Sequence, residues 1–411
     1  MAIDDKVNGK KNLNVPPLRF PEFSGEWEKN NLSKFSSKIT KKNKSNFINN
    51  VLCNSANLGI IPQNDYFNRD IANADNTDSY YIIEQGDFVY NPRKSTAAPY
   101  GPVNIYNGEK PGIISPLYLC FSVFNISPSF LFYRFKSSVW HPYVYSHGDT
   151  GVRYDRVSIK DDVFFDMPIY TPTQNEQEKI ATLLSLIDER ITTQNKIIEK
   201  YESLIQAICD TLIEAEQHKV ELSFNDFGEP YSGLSGKSSE DFGEGCQYIT
   251  YMNVYQNQII DITDVGLVKI NDAEQQSVVR YGDILFTLSS ETPNEVGMGA
   301  VYLGGTYPLY LNSFCFGVHI IDKSKIFPPF LAYYISTKSF RKAVFPLAQG
   351  STRFNLQKSD FIKKKFLFPT VEKQNKIYSV LKAFSDKLSI EKNIANLLCE
   401  QKSYLLRQMF I

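Results

Sequence analysis

Apolar residues between 180 and 212 fall in alternating steps of four and three: Ile180, Leu184, Ile187, Ile191, Gln194, Ile198, Tyr201, Ile205, Ile208 and Leu212. That spacing holds one stripe on one helix face and makes a coiled-coil seam, here with a polar break at Gln194. The same steps recur 197 residues on, at Ile377, Leu381, Phe384, Leu388, Glu391, Ala395, Leu398, Lys402, Leu405 and Met409. The second seam is less apolar, yet its central break, Glu391, falls at the equivalent place. Both runs also open alike, with Pro172-Thr173-Gln174-Asn175-Glu176-Gln177-Glu178-Lys179-Ile180 matched by Pro369-Thr370-Val371-Glu372-Lys373-Gln374-Asn375-Lys376-Ile377. Proline suits a first helical turn, where its missing N–H has no intrahelical acceptor. Two unrelated amphipathic helices explain the seams but not the matched openings and breaks. A duplication is expected.

Connectivity limits how the two helices pack. Each runs for about 40 residues, or roughly 60 Å at 1.5 Å per residue. The stretch between them leaves the end of the first and feeds the start of the second, so parallel packing would force it to span that whole length. Antiparallel packing needs no such bridge. The expected fold is α+β: two similar globular domains separated by two long antiparallel helices that form a coiled-coil-like spacer, with a pseudo-two-fold internal repeat. In chain order this gives an N-terminal arm (1–27), a first domain (28–170), a first helix (171–217), a second domain (218–368) and a second helix (369–411).

Short runs of aromatic and β-branched residues fill both domains and read as strands. Tyr80–Ile83, Gly86–Tyr90 and Leu117–Phe121 lie in the first, with a further short strand around Val163–Phe165. The second rhymes with it. Tyr281-Gly282-Asp283-Ile284-Leu285-Phe286 answers Gly86-Asp87-Phe88-Val89-Tyr90, and Phe330–Tyr334 answers Phe130–Tyr133. The Gly350–Asn355 turn answers Gly151–Arg156, setting Arg353-Phe354 against Arg153-Tyr154. The arm resists regular structure, because Pro17, Pro21 and Gly25 interrupt it while Phe20, Phe23 and Trp27 seek burial. It should lie pinned by those aromatics on a domain surface.

Charge alters the picture locally rather than globally. The 44 basic and 45 acidic residues nearly cancel, yet Lys29, Lys34, Lys38, Lys41, Lys42 and Lys44 stand together with no acid between 29 and 44. From Ser339 to Phe368, seven basic residues face only Asp360. Such patches displace counterions from phosphates, although a solvated surface segment shows the same composition. The candidate nucleic-acid contacts are Lys34, Lys38, Lys41, Lys42 and Lys44; Arg93 and Lys94 in a basic turn; and Arg153, Tyr154 and Arg156. In the second domain they are Lys237, Ser238, Ser351, Thr352, Arg353 and Asn355, donor and acceptor types that suit base edges. The lysine cluster has no counterpart in the second domain.

Candidate catalysis fares poorly. Gly233-Leu234-Ser235-Gly236-Lys237-Ser238 lacks the first glycine of a phosphate-binding loop, since Tyr231 stands there. Asn91-Pro92-Arg93 lacks the second proline and the aromatic of a base-methylase motif. Four histidines offer little for metal or acid–base work. The six cysteines have no CxxC spacing, which points to reduced thiols in a cytoplasmic protein. No apolar run approaches the roughly 20 residues needed to span a membrane. The chain offers binding surfaces, no catalytic centre and no cofactor.

Pro17-Leu18-Arg19-Phe20-Pro21-Glu22-Phe23, both helix openings, and Gly233–Ser238 followed by Asp241-Phe242-Gly243-Glu244-Gly245 and Tyr248-Ile249 resemble the specificity subunits of type I restriction–modification systems. The resemblance implies two target-recognition domains reading a bipartite double-stranded DNA target. It also implies two methylation subunits and a restriction subunit that translocates DNA using ATP, so that the chemistry resides in the partners. Leu183, Leu204, Ile394 and Leu397 lie off the main seam and are the expected docking stripe for the methylation subunits. Two other readings fit the residues: a scaffold whose two ends bind proteins, and the recognition half of a system with cleavage and methylation fused in one partner. Salt-dependent duplex binding separates the first from the DNA reading, and co-purification separates the second.

Overall fold

The computed structural model describes residues 14–44, 47–66, 77–148, 155–271 and 273–411. The chain divides into two compact units. One comprises the chain up to Gln194 together with Ile394–Ile411, and the other Asn195–Asn393. Both units are α+β, and each contains one half of each long helix.

The helices run Gln174–Glu214 and Val371–Gln408. Their openings match because both do one job. Gln177, on the first turn of helix one, is buried; its side-chain oxygen accepts the Ser127 N–H at 2.9 Å and its amide donates to the Pro172 carbonyl at 2.9 Å. Gln374 of helix two is fully buried. It accepts the Phe327 N–H at 2.8 Å and donates to the Pro369 carbonyl at 2.8 Å. Ser127 and Phe327 are the N-caps of equivalent short helices, Pro128–Lys136 and Pro328–Tyr334. One glutamine per unit thus fastens a domain helix to a long helix. A second fastener repeats one step along: Tyr133 Oη donates to Asp188 at 2.9 Å, and Tyr333 Oη meets Ser385 Oγ at 2.9 Å.

The seam positions are where the apolar contacts fall. Ile180, Leu184 and Ile187 join the first unit's core with Leu405 and Met409, and Ile205 joins the second's with Ile377 and Leu381. The polar breaks Gln194 and Glu391 are both buried. Within the second unit Glu202 pairs with Lys392 at 2.7 Å and Glu216 with Lys373 at 3.3 Å, so the two segments run antiparallel. Helix one also carries a stripe that the seam does not reveal. Cys209 and Ile213 are more buried than Ile208 and Leu212, because this half of the helix packs on its own unit, where Asp210 accepts the Lys338 N–H at 2.9 Å.

Each unit contains the same four-stranded antiparallel sheet. In the first unit its order is Ser36–Lys38, Leu119–Val123, Phe88–Tyr90, Val103–Ile105. The order in the second is Gly228–Ser232, Cys315–Ile320, Ile284–Thr287, Gly299–Val301. A second sheet in each contains one parallel pairing, Val51–Ser55 with Gly112–Ile114 and Phe242–Ile249 with Tyr310–Leu311. The repeated Gly-Asp dipeptide makes the same turn in both. Gly86 and Gly282 have φ of 93° and 92°, a conformation that a Cβ disfavours. Asp87 and Asp283 then accept the N–H of Glu84 and Arg280 at 2.7 and 2.8 Å. In the second unit Asp283 also holds Tyr231 Oη at 2.8 Å and His319 Nδ1 at 2.9 Å. The tyrosine that breaks the phosphate-loop pattern is therefore a core residue.

One local expectation is corrected. Val163–Phe165 belongs to a short helix, Asp161–Phe165, and not to a strand. Three residues cannot establish an alternation, whereas Asp161 and Asp162 favour a helical first turn, and Phe164 then stacks on Tyr90 at 4.7 Å. The arm is pinned by its aromatics as expected, with Trp27 buried in the first unit's core and Phe20 packed against it, and charge adds a second anchor. Arg19 forks onto Glu176 of helix one at 2.7 and 2.8 Å, and Trp27 Nε1 donates to the same carboxylate at 3.3 Å.

Candidate nucleic-acid interface

The first unit gathers its basic residues from three distant stretches. Residues 41–43 run beside the strand Tyr81–Ile83, with Lys42 opposite Tyr81 and the Ile82 N–H donating to the Lys41 carbonyl at 2.9 Å. Arg93, just past the strand Phe88–Tyr90, lies directly opposite Arg156. The Val157 N–H donates to the Pro92 carbonyl at 2.9 Å and the Lys94 N–H to the Asp155 carbonyl at 2.8 Å. Those two bonds flank the arginines, so they form a non-hydrogen-bonded pair, with Cα atoms about 4.5 Å apart and side chains close. A cavity of about 250 Å³ adjoins them, lined by Lys38, Tyr81, Tyr118, Ser158 and Asp161 among others. Burial pushes the Tyr118 phenol up, and the nearby Arg156 and Arg93 hold that rise back.

The candidates differ in how much of their charge is available. Lys34 pairs with Glu28 at 3.1 Å and Lys38 with Asp161 at 2.5 Å. Lys41, Lys42 and Lys44 are exposed, and among the described residues none of them, nor Arg93, Lys94 or Arg156, forms an ion pair. Arg153 and Tyr154 lie outside the described residues.

In the second unit, Lys237 is almost wholly buried against Glu274 at 2.5 Å, and Ser238 spends its hydroxyl and N–H on Asp241. That loop is built for its own closure, and Lys237 could reach a phosphate only by breaking its ion pair. Ser351, Thr352 and Arg353 sit exposed at the turn between the short strands Ala348–Gln349 and Phe354–Leu356, and Asn355 is exposed on the second of them. The wider basic patch is smaller than its charge count. Arg341 donates to the carbonyls of Asn294, Val296 and Gly297, and burial lowers its pKa; Lys365 pairs with Glu221.

The ladder also aligns the ends of the two turns. Leu356 N–H donates to the Leu288 carbonyl at 2.8 Å, as Val157 does to Pro92, and Asn355 lies opposite Ser289. Arg93 and Arg156 therefore occupy the places of Ser289 and Asn355.

On the helices, Leu204, Ile394 and Leu397 are exposed, Leu397 by 63%, whereas Leu183 packs partly against the first unit's core. Leu186 is 54% exposed. It lines a groove of about 580 Å³ with Leu183, Ile187, Arg190 and Leu398. The heptad count, which seeks the buried seam, passes over it. Among the described residues no helix is long and apolar enough to cross a membrane.

The two units thus repeat one domain, each copy fastened to a long helix and presenting polar and basic side chains on the ladder that follows its Gly-Asp turn. Residues 235–399 match the family model of the type I restriction modification DNA specificity domain. No curated protein matches the chain. Among solved structures it is similar to a chain determined for complex assembly and conformational transition of the type I R-M system, at 14% identity and a TM-score of 0.59, over 93% of this chain and 97% of that one. It is also similar to the type I restriction–modification S subunit from M. genitalium, at 15% identity and a TM-score of 0.51, over 97% and 99% of the two chains. The family match thus covers the stretch 235–399, and the fold of the whole chain is similar to those two solved chains.

Proposed function

We propose that this protein is the cytoplasmic DNA-recognition subunit of a type I restriction–modification complex, non-catalytic in itself, and that it reads a bipartite duplex target with one half assigned to each unit. The observation that carries the reading is the repeat with unlike surfaces. Both units keep the same fold and the same buried glutamine, yet the ladder after the Gly-Asp turn bears arginines in one and serine and asparagine in the other. Two copies of one reader with different side chains suit a target with two different halves. The partners are two methylation subunits and the restriction subunits that translocate DNA. Methylome sequencing of a host carrying the modification partners, with and without this chain, tests the reading. A motif of two short specified blocks around a fixed unspecified gap should appear only with the chain. An uninterrupted motif, or none, would overturn it.

Docking of the methylation subunits is assigned to the exposed apolar positions of the helices. Replacing both Ile394 and Leu397 with Asp sets two charges on that stripe and is expected to abolish co-purification of those subunits, with circular dichroism unchanged. A complex recovered at the normal yield would move the docking face elsewhere.

A further inference from the structure

The pair Arg93/Arg156 is costly as it stands. Like charges directly opposite each other on neighbouring strands repel, and among the described residues no carboxylate comes within ion-pairing distance of either. Asp161, the acid bordering the adjoining cavity, is already taken by Lys38. The Arg156 Nε is buried and has no hydrogen-bond partner. A protein that keeps two guanidinium forks side by side, with Lys94 next in the chain and one buried Nε without a partner, is arranged to meet acceptors from outside. Arg93 is exposed to do so.

We infer that this ladder position is the base-reading element of each unit, and that Arg93 and Arg156 read guanine in one half of the target while the equivalent Asn355 reads adenine in the other. The inference rests on the DNA-recognition reading above and adds the identity of the bases. In the major groove, guanine alone presents two acceptors side by side, O6 and N7, which match a donor-only guanidinium fork. Adenine presents one acceptor and one donor, N7 and the N6 amino group, which match the oxygen and nitrogen of an exposed asparagine amide. Ser289, opposite Asn355, is buried, so the second unit has one reader at this position where the first has two. The units therefore share a reading frame while differing in what they read.

The test uses the full chain expressed with its modification partners, and its readout is the methylated motif. The wild-type motif should specify guanine in one half and adenine in the other. Arg156→Lys keeps the charge and removes the fork, so it should lower discrimination at one G·C pair by about 5- to 150-fold. The salt dependence of duplex binding should stay unchanged, and so should the other half of the motif. Arg93→Gln should act on the same half, and Asn355→Ala should relax an adenine in the other half only. A wild-type bipartite motif without guanine in either half would sink the inference while leaving the DNA-recognition reading intact. So would variants that weaken all sites equally, because that marks phosphate contacts. Failure of the wild-type chain to direct any motif would remove both readings together.

Discussion

Replacing Arg19 with methionine is expected to destabilise the first unit by about 3 kcal/mol, the low end of what breaking a buried ion pair costs. The loss comes from Glu176, which has no exposed surface and would keep only its 3.3 Å contact with Trp27 Nε1. The cost falls at the low end because the Arg19 side chain is 13% exposed, so some solvent reaches the pair. Removing both charges, as Arg19→Met with Glu176→Gln, should recover most of the loss, since no uncompensated carboxylate then remains. The matched place on helix two tells the two halves apart. Lys373 occupies the position of Glu176 with the opposite charge and pairs with Glu216 at 3.3 Å, but its side chain is 49% exposed. Lys373→Met should therefore have a far smaller effect. Hydrogen exchange at the amides of Leu119–Val123 and Cys315–Ile320 reports on the two units separately. Similar protection losses for Arg19→Met and Lys373→Met would show that burial of Glu176 does not set the cost.

The parts of this architecture that repeat were legible in the sequence, because duplication writes a physical constraint twice. Gln177 and Gln374 stand at the same place in two matched helix openings, and the Gly-Asp turn recurs with its left-handed glycine. What escaped is mostly long-range pairing between short elements. The strand Phe88–Tyr90 has three residues, too few for a period. Nothing local announces that Arg93 will face Arg156, because that register is set by hydrogen bonds between segments some sixty residues apart in the chain. Charge counts mislead for the same reason. Lys237 and Arg341 count as basic residues, yet one is closed onto Glu274 and the other onto three backbone carbonyls. A sequence records that a side chain is charged; the fold decides whether its partner is internal. The arm is a milder case. Its aromatics do anchor it, but nothing local shows that Arg19 will fork onto a carboxylate 157 positions away.

Substituting leucine for Gln374 is expected to destabilise the second unit by about 3 kcal/mol, and Gln177→Leu should do nearly the same to the first. Leucine approximates the volume of glutamine, so the cost arises from stranded polar groups and not from a cavity. In the second unit the Phe327 N–H loses its acceptor, and the carbonyls of Pro369 and Lys325 lose a donor. In the first, the Ser127 N–H and the Pro172 carbonyl are left alone. Each buried group without a partner costs about 1–3 kcal/mol, and relaxation or entering water recovers part of that sum. Gln177→Leu should fall slightly below Gln374→Leu, because it strands one carbonyl fewer. The damage should stay within one unit, as every group each glutamine bonds belongs to its own unit. Denaturant titration followed by exchange at the two sheets would read this directly. The methylated motif should keep its sequence in both variants, since neither glutamine belongs to the ladder that meets the bases, while the extent of methylation falls as the loosened unit holds its half-site less firmly. A changed motif would mean that the fastener orients the reading side chains as well as anchoring the domain.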